Sequence, residues 1–287
     1  MSIRLYSNLT FVTMSTSAIK ILFVDYVIAA VVTCTLFYLS STSALANNLY
    51  GVLFLGFIPV FGGINGLLIA RHWGAFKSAM GRAVIYLSLG LIAWGLGTYV
   101  YSGIYNVILN VEVPYPSYAD IGYVLALPLW AVGMIQLSRA SGAKYGLHSS
   151  AGKFTLLLIP AVVIGLSYYL LVVIARGGTL TGDDTALLKI VLDLTYPLGD
   201  VLILTIATLV YGLSYNYFGG VFKKAIYMIL SGFVLLYLAD FAFSYTTTLG
   251  TWYPGDWNDL LFATAMLALS SGIAFMHPSM LEKGAAS

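Results

Sequence analysis

The chain has 287 residues, 60% of them hydrophobic and 8% charged, with a formal net charge of +2. Soluble globular chains carry about 25% charged residues, so this composition excludes a water-soluble fold and requires a surface that meets lipid. The small positive balance reflects membrane topology, not a nucleic-acid footprint, and the single cysteine, Cys34, excludes an intramolecular disulfide and makes thiol–metal chemistry unexpected.

A lipid-facing helix needs about 20 apolar residues to cross about 30 Å of hydrocarbon. No Asp, Glu, Lys or Arg occurs in 26–70, 83–111, 121–138, 154–175, 201–222 or 260–281. In chain order, the first gap holds two spans, 21–43 and 49–70, separated by Ala46-Asn47-Asn48. The next gaps give 83–107, 117–137, 154–175 and 197–215. A seventh span, 225–248, fits if it tolerates Asp240, and 256–276 closes the set. The expected fold is therefore all-α: one polytopic membrane domain over 1–287 with about eight transmembrane helices. Strands of a membrane barrel would alternate apolar and polar residues, whereas these runs are continuously apolar. Ser43-Ala44-Leu45-Ala46 resembles a small-residue cleavage site; in a chain starting at Met1 it reads as the end of an uncleaved first span.

Basic residues set the orientation. With an inner N-terminus, Arg4, Lys20, Arg71, Lys77, Arg82, Arg139, Lys144, Lys153, Lys223, Lys224 and Lys283 fall inside, and only Arg176 and Lys189 fall outside. Both termini are thus expected in the cytoplasm, with the chain in the cell membrane.

Three outer segments share a pattern. Tyr115-Pro116-Ser117-Tyr118-Ala119-Asp120 precedes the fourth span, Tyr196-Pro197-Leu198-Gly199-Asp200 the sixth, and Tyr253-Pro254-Gly255-Asp256-Trp257-Asn258-Asp259 the eighth. The repeat predicts three helical hairpins, 3–4, 5–6 and 7–8, after a leading pair. Proline suits a first helical turn, a carboxylate there is favoured by the helix dipole, and tyrosine belongs at the interface. Capped helix starts alone would account for much of this pattern. Before the second copy, Asp183, Asp184 and Asp193 mark an amphipathic outer segment.

Nine acidic residues fall on the outer side or in the outer half: Glu112, Asp120, Asp183, Asp184, Asp193, Asp200, Asp240, Asp256 and Asp259. Asp240 is the costly one, about 22 Å up its helix, where an ionised Asp costs about 2.5–3.5 kcal/mol. It should face the interior, paired or protonated. Phe233, Tyr237, Asp240 and Ser244 recur as one helical stripe, as do Trp94, Thr98, Tyr101 and Tyr105 in the third span. Together with Asp120, Asp200 and Asp259 they describe either a polar, aromatic-lined cavity open to the outside or a hydrogen-bond network joining helices. Asp25, near Lys20, is expected to snorkel or pair locally, and the inner half reads as nearly free of buried polar groups. His72, His148 and His277 map to inner ends, far from the carboxylates, so no zinc site is expected. No span carries a central lysine for a retinal Schiff base, and there is no phosphate-binding glycine loop, CxxC pair or HExxH.

The runs Pro116-Ser-Tyr-Ala-Asp-Ile-Gly-Tyr123, Tyr196-Pro-Leu-Gly-Asp200, Leu238-Ala-Asp240 and Gly250-Thr-Trp-Tyr-Pro-Gly-Asp-Trp-Asn-Asp259, with Ala93-Trp-Gly-Leu-Gly97 before them, resemble a known module. It is the eight-helix membrane domain that precedes GGDEF and EAL domains in bacterial cyclic-di-GMP signalling proteins. The resemblance covers about residues 85–275; the first two helices match only in hydropathy. It implies a sensory or ligand-receiving module. Family members usually continue into a catalytic domain, whereas about ten residues follow His277 here. The chain is either a standalone member or one cut at the membrane exit; cyclic-nucleotide catalysis is not expected of these residues, and a standalone member would need a cytoplasmic signalling partner in place of the output domain.

The leading functional expectation is a sensor that binds a small ligand or ion through Asp120, Asp200, Asp240 and Asp259, lined by Trp94, Tyr101, Tyr123 and Tyr237, with no cofactor or metal. A transporter is the alternative, because proline-broken helices and midplane carboxylates are transporter features. An intramembrane aspartyl enzyme comes third, since the residues flanking Asp200 and Asp240 do not match such proteases.

Overall fold

The computed structural model describes residues 2–38, 43–140, 150–179, 187–214 and 222–279. Lys144, His148, Asp183, Asp184 and Lys283 lie outside these residues, as does the side chain of Arg4.

The described residues form eight long helices and no strand. Helix α1 is Ser2–Tyr38. Helix α2 runs over Ala44–His72 with a π-helical insert at Gly51–Gly56. Helix α3 runs over Ala79–Ile108, its last stretch, Tyr99–Ile108, being π-helical. Helix α4 is Ala119–Ala140. Helix α5 is Ser150–Ser167, continued as a π-helix over Tyr168–Ile174. Helices α6, Leu187–Ser214, α7, Lys223–Thr248, and α8, Trp257–Ala274, complete the chain.

Two boundaries differ from the charge-gap reading. Helix α1 begins at Ser2 instead of 21, because charges mark where a helix enters lipid, not where it starts. Helix α6 begins at Leu187 instead of 197, so Tyr196-Pro197 lies inside it. The described part of the amphipathic outer segment, with Asp193, is the first part of α6, and Asp200 is carried inward.

Seven of the helices are long and apolar enough to cross a membrane. Helix α8 is the exception: it opens on Asn258-Asp259 and spans about 27 Å at 1.5 Å per residue. Its packing explains this. It lies against α7, α2 and α1, and most of its residues are buried. A helix sheltered by protein does not need a lipid-compatible surface.

The hairpins α3–α4, α5–α6 and α7–α8 all pack together, as the repeat predicts. Lipid tails are as apolar as leucine, so helices in a membrane associate through close packing and small residues. The α3–α4 crossing shows this: a Cβ added at Gly122 would meet the Ala93 carbonyl at 2.5 Å and the Gly97 nitrogen at 2.7 Å. Small hydroxyls serve the same purpose toward the basic end, which corrects the expectation of an inner half nearly free of buried polar groups. Ser88 is buried against Gly66 and donates to the Val84 carbonyl at 2.6 Å, and Ser270 is buried against Gly62. Asp25 is half-buried and its Oδ2 has no hydrogen-bond partner, so the local pair expected for it is not formed at that atom. At the same basic end the rings of His72 and His277 meet edge-on, 4.9 Å between centroids.

Candidate functional site

The opposite, acidic end is organised by capped helix starts. Asp256 is the N-cap of α8, accepting from the backbone N–H of Asn258 at 2.8 Å and of Asp259 at 3.3 Å. Gly255 adopts φ +82°, a conformation open to glycine, and donates its N–H to Asp259 Oδ2 at 2.6 Å. In the first turn of α4, Asp120 Oδ2 accepts from the Ser117 backbone N–H at 2.6 Å and its hydroxyl at 3.1 Å. These contacts supply the capping role read from the Tyr-Pro-Asp pattern. Burial raises the pKa of the Asp256 carboxyl, opposed by the N–H groups that it caps.

Between these ends lies a cavity of about 650 Å³. Trp94, Tyr101, Asp120, Tyr123, Asp200, Asp240 and Asp259 all line it. Tyr237, the eighth candidate, does not: it packs against Val163, Leu171 and Leu204 on the α5–α6 side. Its hydroxyl lies toward Ser167, but neither oxygen reaches a partner at hydrogen-bond distance. One helical stripe therefore divides. Phe233 goes to the core beside Trp130, with ring centroids 5.7 Å apart, while Asp240 and Ser244 go to the cavity.

Asp200, buried on α6, and Asp240, on α7, both line the wall and lie close enough to act on each other electrostatically. Two neighbouring carboxylates in a low-dielectric site disfavour each other's charge, so such a pair favours a bound proton or a cation.

Two further acids, Asp120 and Asp193, are held by phenols. Tyr196 donates its hydroxyl to Asp120 Oδ1, and Tyr115 donates to Asp193 Oδ1 at 2.8 Å. Burial, reinforced by the Asp193 carboxylate that accepts its proton, pushes the Tyr115 phenol above its ordinary pKa, so it remains a donor. Arg176 donates from Nη1 to the Asp193 carbonyl at 3.1 Å and from Nε to the Ser244 hydroxyl at 3.4 Å. An aromatic wall completes the site: Trp94 lies 5.6 Å from Tyr123 and 5.8 Å from Phe262, and Phe243 lies 5.2 Å from Trp252 between centroids. Trp252 Nε1 lies near the Asp259 carboxyl without reaching an acceptor at hydrogen-bond distance.

No family model, no curated protein and no solved structure matches this chain. The cavity's chemistry is thus read from its own residues.

Sequence reasoning missed Arg176, Tyr196 and Trp252 as cavity residues. Arg176 carried a usable signal, as one of two basic residues on an otherwise acidic side. Among the described residues no group of three His, Cys, Asp or Glu side chains is arranged to hold a metal ion.

Proposed function

We propose that this chain is a membrane-embedded, receptor-like sensor that takes a small ligand or ion into the cavity at its acidic end, with its basic end in the cytoplasm of a cell. The observation that carries this reading is the 650 Å³ cavity, lined by Asp200 and Asp240 from helices of different packing. Small-molecule sites are concave, mostly apolar and fitted with a few convergent polar groups. The resemblance to the membrane domain of cyclic-di-GMP signalling proteins supports the same reading, with a cytoplasmic partner receiving the signal.

Asp200 and Asp240, facing one cavity from two helices, also bear on the intramembrane aspartyl enzyme, which needs two acids that share a proton. The sensor is preferred because Tyr196-Pro-Leu-Gly-Asp200 and Leu238-Ala-Asp240 lack the flanking pattern of such proteases. A transporter would need a second route out through the basic half, where Ser88, Ser270 and Ser271 are buried in close helix contacts.

A ligand changes a conformational equilibrium only by binding its states unequally. Spin labels at the basic ends of α3 and α8 should therefore change their separation when a compound that raises the melting temperature is added. Tight binding without such a change would sink the sensor. Accumulation of the compound in sealed vesicles would establish the transporter instead.

A further inference from the structure

The cavity walls select the charge of the ligand. Among the described residues, Asp120, Asp193, Asp200, Asp240 and Asp259 line it against a single guanidinium, that of Arg176. Arg176 is already engaged, with the Asp193 carbonyl and the Ser244 hydroxyl. It therefore braces α5 against α6 and α7 and is not a free counter-charge for an anion.

Among the described residues the deepest acids lack a donor. Asp200 is 8% exposed and lines the cavity, within electrostatic reach of Asp240 and of Arg176. The two carboxyls stand on different helices at the wall of one cavity, and no described N–H or O–H donates to either. Asp120 and Asp259 differ, because their oxygens already receive N–H and O–H donors. The shortage is thus local to the Asp200–Asp240 pair.

Size and lining narrow what can fill it. A cavity of about 650 Å³ is far larger than one bare ion requires and falls within the roughly 300–1,000 Å³ of small-molecule sites. Carboxyls paired off in this way do not form a metal cage, and no such group of ligands exists among the described residues. The remaining wall is rich in aromatic rings, including Trp94, Tyr101, Tyr123, Trp252 and Phe262. Ring faces carry negative potential and attract organic cations, by about 2 kcal/mol or more when water is excluded.

We propose that the cavity binds an organic ammonium, a protonated amine or quaternary ammonium with an apolar body, whose charged head is held at the Asp200–Asp240 pair and whose body lies against the aromatic wall. This rests on the receptor reading and adds the ligand's chemical class.

The test uses the full chain in lipid nanodiscs with tetraethylammonium and 2-phenylethylammonium as probes. The uncharged and anionic counterparts are 2-phenylethanol and phenylacetate. Trp94, Trp130 and Trp252 line the cavity, so tryptophan emission reports occupancy directly, and melting temperature reports it independently. At least one ammonium should bind ten or more times tighter than 2-phenylethanol, with phenylacetate weaker still. Asp240→Asn should weaken that ammonium tenfold or more while leaving 2-phenylethanol unchanged, and Asp200→Asn repeats the measurement from the opposite helix. Glu112→Gln, at an exposed loop acid outside the cavity, should leave the affinity as it was. Equal or tighter binding of the alcohol or of phenylacetate would overturn the ammonium assignment while leaving a ligand site intact. Silence from all four probes would overturn the assignment and the ligand site together.

Discussion

The two sides of the bundle are packed differently. In the apolar stretch of α3, 67% of residues are buried inside the protein, and in those of α2 and α7, 50%; for α5 and α6 the figure is 22%. The first group, with α8 at its centre, is joined by backbone approaches such as Gly122 on Ala93 and Gly97. The second is a hairpin with most of its surface toward lipid, touching the rest through α4, α7 and the cavity. Without a hydrophobic force between helices in lipid, close packing is what distinguishes a frame from a movable part. Asp240 belongs to the frame and Asp200 to the hairpin, so the two carboxyls line the cavity from either side of the seam.

The largest effect expected from this contrast is at the helix crossing. Gly122→Leu should prevent stable assembly, because its side chain meets backbone instead of a side chain that can yield; the cost should reach or exceed the roughly 3 kcal/mol upper end of ordinary overpacking. Gly165→Leu on α5, where a Cβ meets nothing within 4 Å, should assemble normally. Denaturation in mixed micelles would measure both, and equal losses would erase the distinction between frame and hairpin.

Next in size is a truncation. Trp130, 1% exposed and set edge-on to Phe233, should cost about 3 kcal/mol or more when truncated in Trp130→Ala. Leu157 on α5 is 75% exposed, and Leu157→Ala should stay within about 0.5 kcal/mol. Comparable melting shifts would mean that α5 is packed as tightly as α4.

The smallest effect is a pH response confined to the frame. Burial, and secondarily the neighbouring His72, lower the pKa of His277 below 6.5. The native state therefore favours neutral His277. Its contribution to stability is fully present above the unfolded value of 6.5 and is lost as pH falls from there through the folded value. Between pH 7.5 and 5.5 the melting temperature of His277→Gln, taken relative to that of the unsubstituted chain, should rise. Amide exchange should quicken at the basic ends of α2 and α8 and not in α6. An unchanged slope in the variant would place the titration elsewhere.

Much of this arrangement was legible in the sequence because lipid makes charge expensive. The gaps between charges gave the helices, and the cost of a mid-membrane Asp240 placed it inward before any contact was known. The stripe that carried Asp240 inward misplaced Tyr237, because positions three and four apart drift around a helix and this one faces two neighbours along its length. Asp200 was misread for another reason. Proline-after-tyrosine looked like a first turn, but α6 begins ten residues earlier, and a depth error of that size separates an interfacial cap from a buried partner for Asp240. Arg176 and Tyr196 were hidden because their roles depend on how α5, α6 and α7 meet, which no local pattern states.

The three π-helical stretches, Gly51–Gly56, Tyr99–Ile108 and Tyr168–Ile174, lie at the acidic end of their helices, and each sends at least one residue, Leu55, Tyr101 or Leu171, to the cavity wall. Such stretches carry surplus chain relative to an α-helix. Expelling one residue from any of them would wind the segment beyond it by about 100° and slide it by about 1.5 Å, leaving the regular helix below untouched. The cavity is thus rimmed by three stretches of surplus chain, whose winding sets where Leu55, Tyr101 and Leu171 stand on its wall.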